Sequence, residues 1–331
     1  MMLDGTILRF NCQTTSPFHT TRQRYANLVK CAPFIMGSTL RGAVLDALIR
    51  TRCPPELLGR LRVLDDPEAI AELHRDCPET CPVKSFFVWP PRVWFSFAKF
   101  GEEQLDYRMM TRIGLSRETL SVSEGAIFTI EAITPGVPFV FEVIVFGAAQ
   151  TVADDAIAAV KQVADVGGIG GFRSIGLGRF ELVSEPERTL LDERLHEAMR
   201  GWPQAGERAQ MLFTTPFVLG SEMEPEDLQG EVLAHRIAQA IDHVAAEAGY
   251  EGSGALPLEW VDVRLRPEFI GRFSFERGLR ENQLVAWPGS SLSFKLPEAV
   301  DWDALAIAAV LGIGEWNHWG FGRFRLQEGA A

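Results

Sequence analysis

Residues Gly168 to Phe180 read GIGGFRSIGLGRF, and residues Gly312 to Phe324 read GIGEWNHWGFGRF. Both fit G-I-G-x5-G-[L/F]-G-R-F without a gap, 144 residues apart. Each is approached by a stretch containing AIAAV, at 156–160 and at 306–310. These approaches are rich in Ala, Val and Leu and predict helices. The exits, Arg179–Val183 and Arg323–Leu326, predict strands. Two copies with matching flanks mark an internal duplication. The order helix, glycine loop, strand is the reverse of a dinucleotide fingerprint, whose glycines follow a strand and open a helix. It also lacks the Lys-Ser/Thr of a phosphate-binding P-loop.

In a βαββαβ unit the second helix leads into the last strand, and both halves fill that template. The first predicts a strand at Thr6–Cys12, a helix at Ser38–Arg50, paired strands at Ala126–Thr134 and Pro138–Phe146, and a helix at Asp154–Asp165. The second predicts a strand at Gln210–Leu219, a helix at Pro225–Ala248, strands at Trp260–Leu265 and Leu292–Leu296, and a helix at Trp302–Val310. The fold expected is α+β: two tandem ferredoxin-like (RRM-like) domains, each with a glycine-rich loop before its last strand. The expected boundaries are 1–185, with an insertion at about 53–112, a linker at 186–209, and a second domain at 210–331.

The composition is globular: 331 residues, 47% apolar and 23% charged. The sequence shows neither an 18-residue apolar run nor the pattern of a signal peptide, and a soluble, cytoplasmic protein is expected. Five cysteines, an odd number, argue against a disulfide scaffold. The net charge of −12 is unevenly spread, with acid concentrated at 64–76, 185–193 and 222–231. Between Thr21 and Arg52 six cations (Arg22, Arg24, Lys30, Arg41, Arg50, Arg52) face one acid, Asp46, a local +5. Basic patches on an acidic body suit contact with nucleic acid along one face; ordinary solvated faces are the competing reading.

Several stretches together resemble the CRISPR-associated RAMP superfamily. They are the two glycine loops, PFIMGSTLRG at 33–42, RIGLSRETLSVSEGAIFTIEAITPG at 112–136, and GSSLSF at 289–294. The resemblance implies an RNA-binding protein that holds the repeat-derived 5′ handle of CRISPR RNA within an effector ribonucleoprotein complex for antiviral defence. Its implied partners are that RNA and other effector subunits: the backbone RAMP proteins, with the large subunit or an effector nuclease as further candidates. The family also contains repeat-processing endoribonucleases, the alternative. A protein-only assembly scaffold is a third reading.

Glycines let a backbone approach a phosphate closely, here Gly168, Gly170, Gly176 and Gly314. Arg173, Arg179 and Arg323 add charge, and Phe172, Trp316, Asn317, His318 and Trp319 can stack on or bond to unpaired bases. Tight helix-to-strand packing is the competing use of such loops. Arg22 and Arg24 belong to the basic patch. Ser38 or Thr39 is expected to cap the first helix, with Arg41 in its first turn aimed at an external anion. His19 is the candidate general base if the chain cleaves RNA. No cofactor is required, but Cys53, His74, Cys77 and Cys81 are candidate ligands of a structural zinc. Their spacing is not that of a standard finger, and free cysteines are often simply buried.

Overall fold

The computed structural model describes residues 3–25, 27–53, 72–78, 81–86, 92–101, 105–115, 122–147, 150–218, 230–252, 259–274 and 279–329. The first half is built on strand β1 (Gly5–Thr14). Its pleat sends alternate residues to opposite faces: Leu8, Phe10 and Cys12 face one core and Ile7 faces another. β1 pairs with β9 (Pro138–Phe146), β10 (Phe180–Leu182) and β11 (Glu187–Leu190). Beyond β9 lie β5 (Val93–Phe95) and β6 (Ala98–Phe100), and β6 pairs with the short β4 (Phe34–Ile35). Helices α1 (Gly37–Arg52) and α2 (Gln150–Gln162) cover the Leu8–Phe10 face through Leu40, Val44 and Leu48, and through Ala156 and Val160.

The opposite face carries Ile7, Trp94 and Ile144 into a second core. There they meet α3 (Leu191–Ala198) and the second half: β12 (Arg208–Phe213), α4 (Gly230–Glu247), α5 (Trp302–Leu311) and β17 (Phe324–Glu328). From Ala304 to Leu311 every α5 residue is buried, as an apolar helix without a polar face must be. The second sheet runs β13 (Glu259–Arg264), β16 (Ser291–Lys295), β12, β17. Among the described residues no helix is long and apolar enough to cross a membrane.

Three sequence expectations meet a different arrangement. The strands predicted at Ala126–Thr134 and Pro138–Phe146 do not pair with each other. The former lies in β8 (Val122–Ile133), which pairs with β7 (Tyr107–Leu115) and β3 (Leu28–Cys31) in a separate sheet completed by β2 (Thr21–Tyr25). Pro135-Gly136 joins strands of different sheets, and the Gly136 N–H donates to the Thr14 carbonyl instead of closing a hairpin. The place beside β9 goes to β5 and β6, from the stretch read as an insertion. The stretch read as a linker likewise holds β11, on the edge of β1, and α3, whose Leu191 and Leu195 are buried in the second core. A period of two identifies a strand but not its partner. The second half also inserts a hairpin, β14 (Pro267–Ser274) with β15 (Leu279–Ala286), between β13 and β16.

Candidate nucleic-acid interface

The two glycine loops have one backbone. Positive φ occurs at Gly168, Gly170, Phe172, Gly176 and Gly178, and at the corresponding Gly312, Gly314, Trp316, Gly320 and Gly322. Glycine is required where the chain recrosses itself. A Cβ at Gly178 would lie 2.0 Å from the Ile169 carbonyl oxygen, and one at Gly322 would lie 1.9 Å from that of Ile313. The aromatic residues at the third position, φ 60° and 64°, accept a left-handed conformation that costs an L-residue about 1–2 kcal/mol.

Each loop docks on a [S/T]-P-F segment after the first strand of its own half. Arg179 N–H donates to Ser16 Oγ and Arg323 N–H to Thr215 Oγ1, both at 2.9 Å. Gly178 N–H donates to the Pro17 carbonyl and Gly322 N–H to that of Pro216. Gly171 and Glu315 donate to the carbonyls of His19 and Val218. Much of the backbone donor capacity is thus spent inside the protein, and what each loop offers outward depends on its side chains.

The first loop is open. Arg173, Ser174, Ile175, Gly176 and Arg179 are exposed. Phe172 rests on the His19 ring, with centroids 5.2 Å apart, and stacks on Phe128 of β8 at 6.0 Å. Across the strand pair from Phe128 is Arg112, whose buried Nε has no hydrogen-bond partner among the described residues. Arg173, Phe172, Phe128 and Arg112 follow one another as two neighbouring rings with a cation at either end. Phe128 and Arg112 were not singled out from the sequence, which placed Arg112 at the end of an insertion and gave no sign of which loop they border.

The second loop packs into the seam between the halves, with Trp316, His318 and Trp319 half-buried, and its Gly314–His318 side also lines an open pocket against α4. A Cβ on Gly320 would lie 2.6 Å from the Phe97 nitrogen and 2.7 Å from the Phe95 carbonyl oxygen, and Gly37 meets the Trp319 carbonyl oxygen at 2.2 Å by the same measure. Trp316 and Trp319 pack on a cluster with Phe34, Phe97 and Phe321. His318 stands against Trp94 and Trp319, and burial, with Arg41 nearby, lowers its pKa to about 4. Asn317 Nδ2 donates to Glu247 of α4. Arg323 donates to Glu142 of β9 at 2.6 Å, both side chains only 13–15% exposed. Burial pushes the Glu142 carboxyl up, but Arg323 together with Arg194 and Arg9 outweighs it and holds the group below its ordinary value.

The other predicted residues divide in the same way. Arg22 bonds to Glu268 at 2.5 Å and lies over the Trp287 ring, both in the second half. Arg24 is in β2, its side chain outside the described ones. Helix α1 opens at Gly37 with Met36 at the cap and no side-chain cap bond, so neither Ser38 nor Thr39 caps it; the close approach to Trp319 sets the start. Arg41 donates to the Phe86 carbonyl and faces its ring; burial lowers its pKa to about 10. His19 is fully buried, Nδ1 2.6 Å from the Glu131 carbonyl oxygen and Nε2 3.1 Å from Thr21 Oγ1.

The RAMP superfamily model matches residues 11–181, and the CRISPR-associated protein (Cas_Cmr3) model matches residues 102–326. The chain belongs to the RAMP superfamily of CRISPR-associated proteins. No curated protein matches it. This RAMP protein is similar to a chain of the cryo-EM structure of the Type III-B Cmr-beta bound to cognate target RNA: 15% identity, covering 57% of this chain and 62% of that one, TM-score 0.38. It therefore spans less than two thirds of that chain's length. In this RAMP protein, the motif that carried the resemblance serves two purposes, an outward face in one copy and a structural seam in the other.

Proposed function

We propose that this RAMP protein is a crRNA-binding subunit of a CRISPR effector ribonucleoprotein, holding the repeat-derived 5′ handle on its first glycine loop beside other effector subunits. We infer further that each half is a ferredoxin-like βαββαβ unit. The order β10-β1-β9 followed by β5 and β6, and the order β17-β12-β16-β13, support that reading, both placing the first strand between the last and the third. The observation that carries the RNA assignment is the open face of the first loop: Arg173 and Arg179 exposed, Phe172 fixed beside them, and Arg112 with an unpartnered donor one strand away. Cations that follow a phosphate backbone, interleaved with rings on which bases stack, are what single-stranded RNA requires.

The processing nuclease is less well supported. A general base must reach the proton it removes, and the His19 ring is buried with both nitrogens engaged. The test is repeat RNA, with and without EDTA, titrated against wild type and an Arg173→Ala/Arg179→Ala variant. Tight binding without cleavage, weakened in the variant and with a salt dependence flattened by up to about two phosphates' worth, supports the handle-binding reading. Cleavage to a fixed product would favour the nuclease, and no binding would favour a scaffold.

A further inference from the structure

Cys53, His74, Cys77 and Cys81 converge, though they are separated in sequence by up to 28 residues. The ligand atoms of His74, Cys77 and Cys81 all lie within 4.8 Å of one another. His74 Nδ1 is 3.5 Å from Cys77 Sγ and 3.8 Å from Cys81 Sγ. With Zn–N of about 2.0–2.1 Å and Zn–S of about 2.3 Å, a tetrahedral zinc has N···S edges of roughly 3.6 Å. The observed spacings match those edges, as they also match S–H···N hydrogen bonds between the same groups. Cys53 approaches the other side of the imidazole, its Sγ 3.5 Å from Nε2. One nitrogen of a histidine faces the metal, and the other takes an outer partner that fixes the ring.

The structure is held ready for these ligands. Cys77 and Cys81 lie on successive turns, the Cys77 N–H bonding to the His74 carbonyl and the Cys81 N–H to that of Pro78. Lys84 Nζ donates to the Cys77 carbonyl, and Ser85 Oγ to that of Cys81. Cys53 is the C-cap of α1, and its N–H bonds to Ile49. A metal here would tie the end of α1 to the segment that carries Phe86, the partner of Arg41.

We propose that this cluster binds one zinc ion through His74 Nδ1, Cys77 Sγ and Cys81 Sγ, with water in the fourth position and Cys53 as the partner of His74 Nε2. The assignment is independent of RNA binding. It sharpens the four-ligand expectation, because Cys53 faces the ring nitrogen that does not meet the metal.

The test is elemental analysis of the full chain after reconstitution with zinc and gel filtration, then replacement by Co²⁺ and measurement of the thiolate-to-cobalt charge-transfer band. About one zinc per chain is expected, with a band of two-thiolate intensity. Cys77→Ser and Cys81→Ser should lose stoichiometric metal. Cys53→Ser should keep one metal and an unchanged band while binding zinc roughly 10–100-fold more weakly in competition with a chromophoric chelator. Wild type without stoichiometric metal would overturn the site. A band that falls by a third in Cys53→Ser would overturn the outer role of Cys53 and make it a fourth ligand. Because both outcomes are read on wild type or on this one variant, misfolding of Cys77→Ser or Cys81→Ser leaves the test intact.

Discussion

The first and second glycine loops share five positive-φ positions and the same anchors on a [S/T]-P-F segment, yet one faces solvent and the other joins the two halves. The backbone is set by glycines that only a recrossing chain requires. What each copy exposes is set by what stands opposite it: solvent and the edge of β8 in the first, β5, the start of α1 and α4 in the second. A duplicated motif thus conserves a conformation and not a role. A loop tip with two indoles and an imidazole looks like a base-stacking surface until the element covering it is known.

Equivalent residues allow the contrast to be tested pair by pair, beginning with the largest effect. Arg323 and Arg179 occupy the same place in G-R-F. Arg323→Ala leaves Glu142 buried without its cation, and denaturant unfolding should show a loss of about 3–5 kcal/mol. Arg179→Ala, at an exposed site, should change stability by less than about 0.5 kcal/mol. Equal losses would show that the seam does not depend on this pair.

Gly320 and Gly176 come next. Both have φ above +80°, but a Cβ at Gly176 meets nothing within 4 Å, whereas one at Gly320 meets the backbone of β5 and its exit. Each alanine should cost about 1–2 kcal/mol for the left-handed conformation. Gly320→Ala should add about 1–3 kcal/mol for overpacking, so the difference between the two unfolding free energies measures the seam directly.

The pH dependence distinguishes the loops a third way, since only the second carries a histidine. The His318 pKa is about 4 in the folded protein and 6.5 ordinarily. Between those values the unfolded chain binds the proton and the folded one does not, so stability is full above about pH 6.5 and declines as pH falls toward 4. Glu142, with its depressed pKa, adds a loss below the ordinary carboxylate range. His318→Gln should flatten the decline between pH 6.5 and 4; an unchanged slope would assign it to other groups.

The smallest effect on the fold is expected in the first loop. Arg173→Ala and Phe172→Ala should weaken repeat-RNA binding, the latter by about 1–3 kcal/mol if the ring stacks on a base. Fluorescence anisotropy would check this against Trp319→Ala, for which a stability loss of about 0.5–3 kcal/mol is expected from removing a half-buried indole. Weaker RNA binding by a stable Trp319→Ala protein would reverse the comparison and return the second loop to the RNA face.

The sequence by itself determined the duplication, the helix–loop–strand order, the α+β class and the spans of β1, β9, α5 and β16, because these depend on local period and on glycine positions that steric constraints make obligatory. It also brought out His74, Cys77 and Cys81, which the fold gathers into one cluster, since only a few side chain types can bind zinc. It did not determine that β8 pairs with β3 and β7, that β5 and β6 complete the first sheet, or that Arg22, Arg41 and Arg323 are engaged inside the protein. Strand partners and burial are properties of contacts between residues far apart in the chain, and a loop's own composition is the same whether solvent or another half of the molecule lies against it. The tertiary structure alone decided which glycine loop keeps its side chains exposed and which packs against the other half.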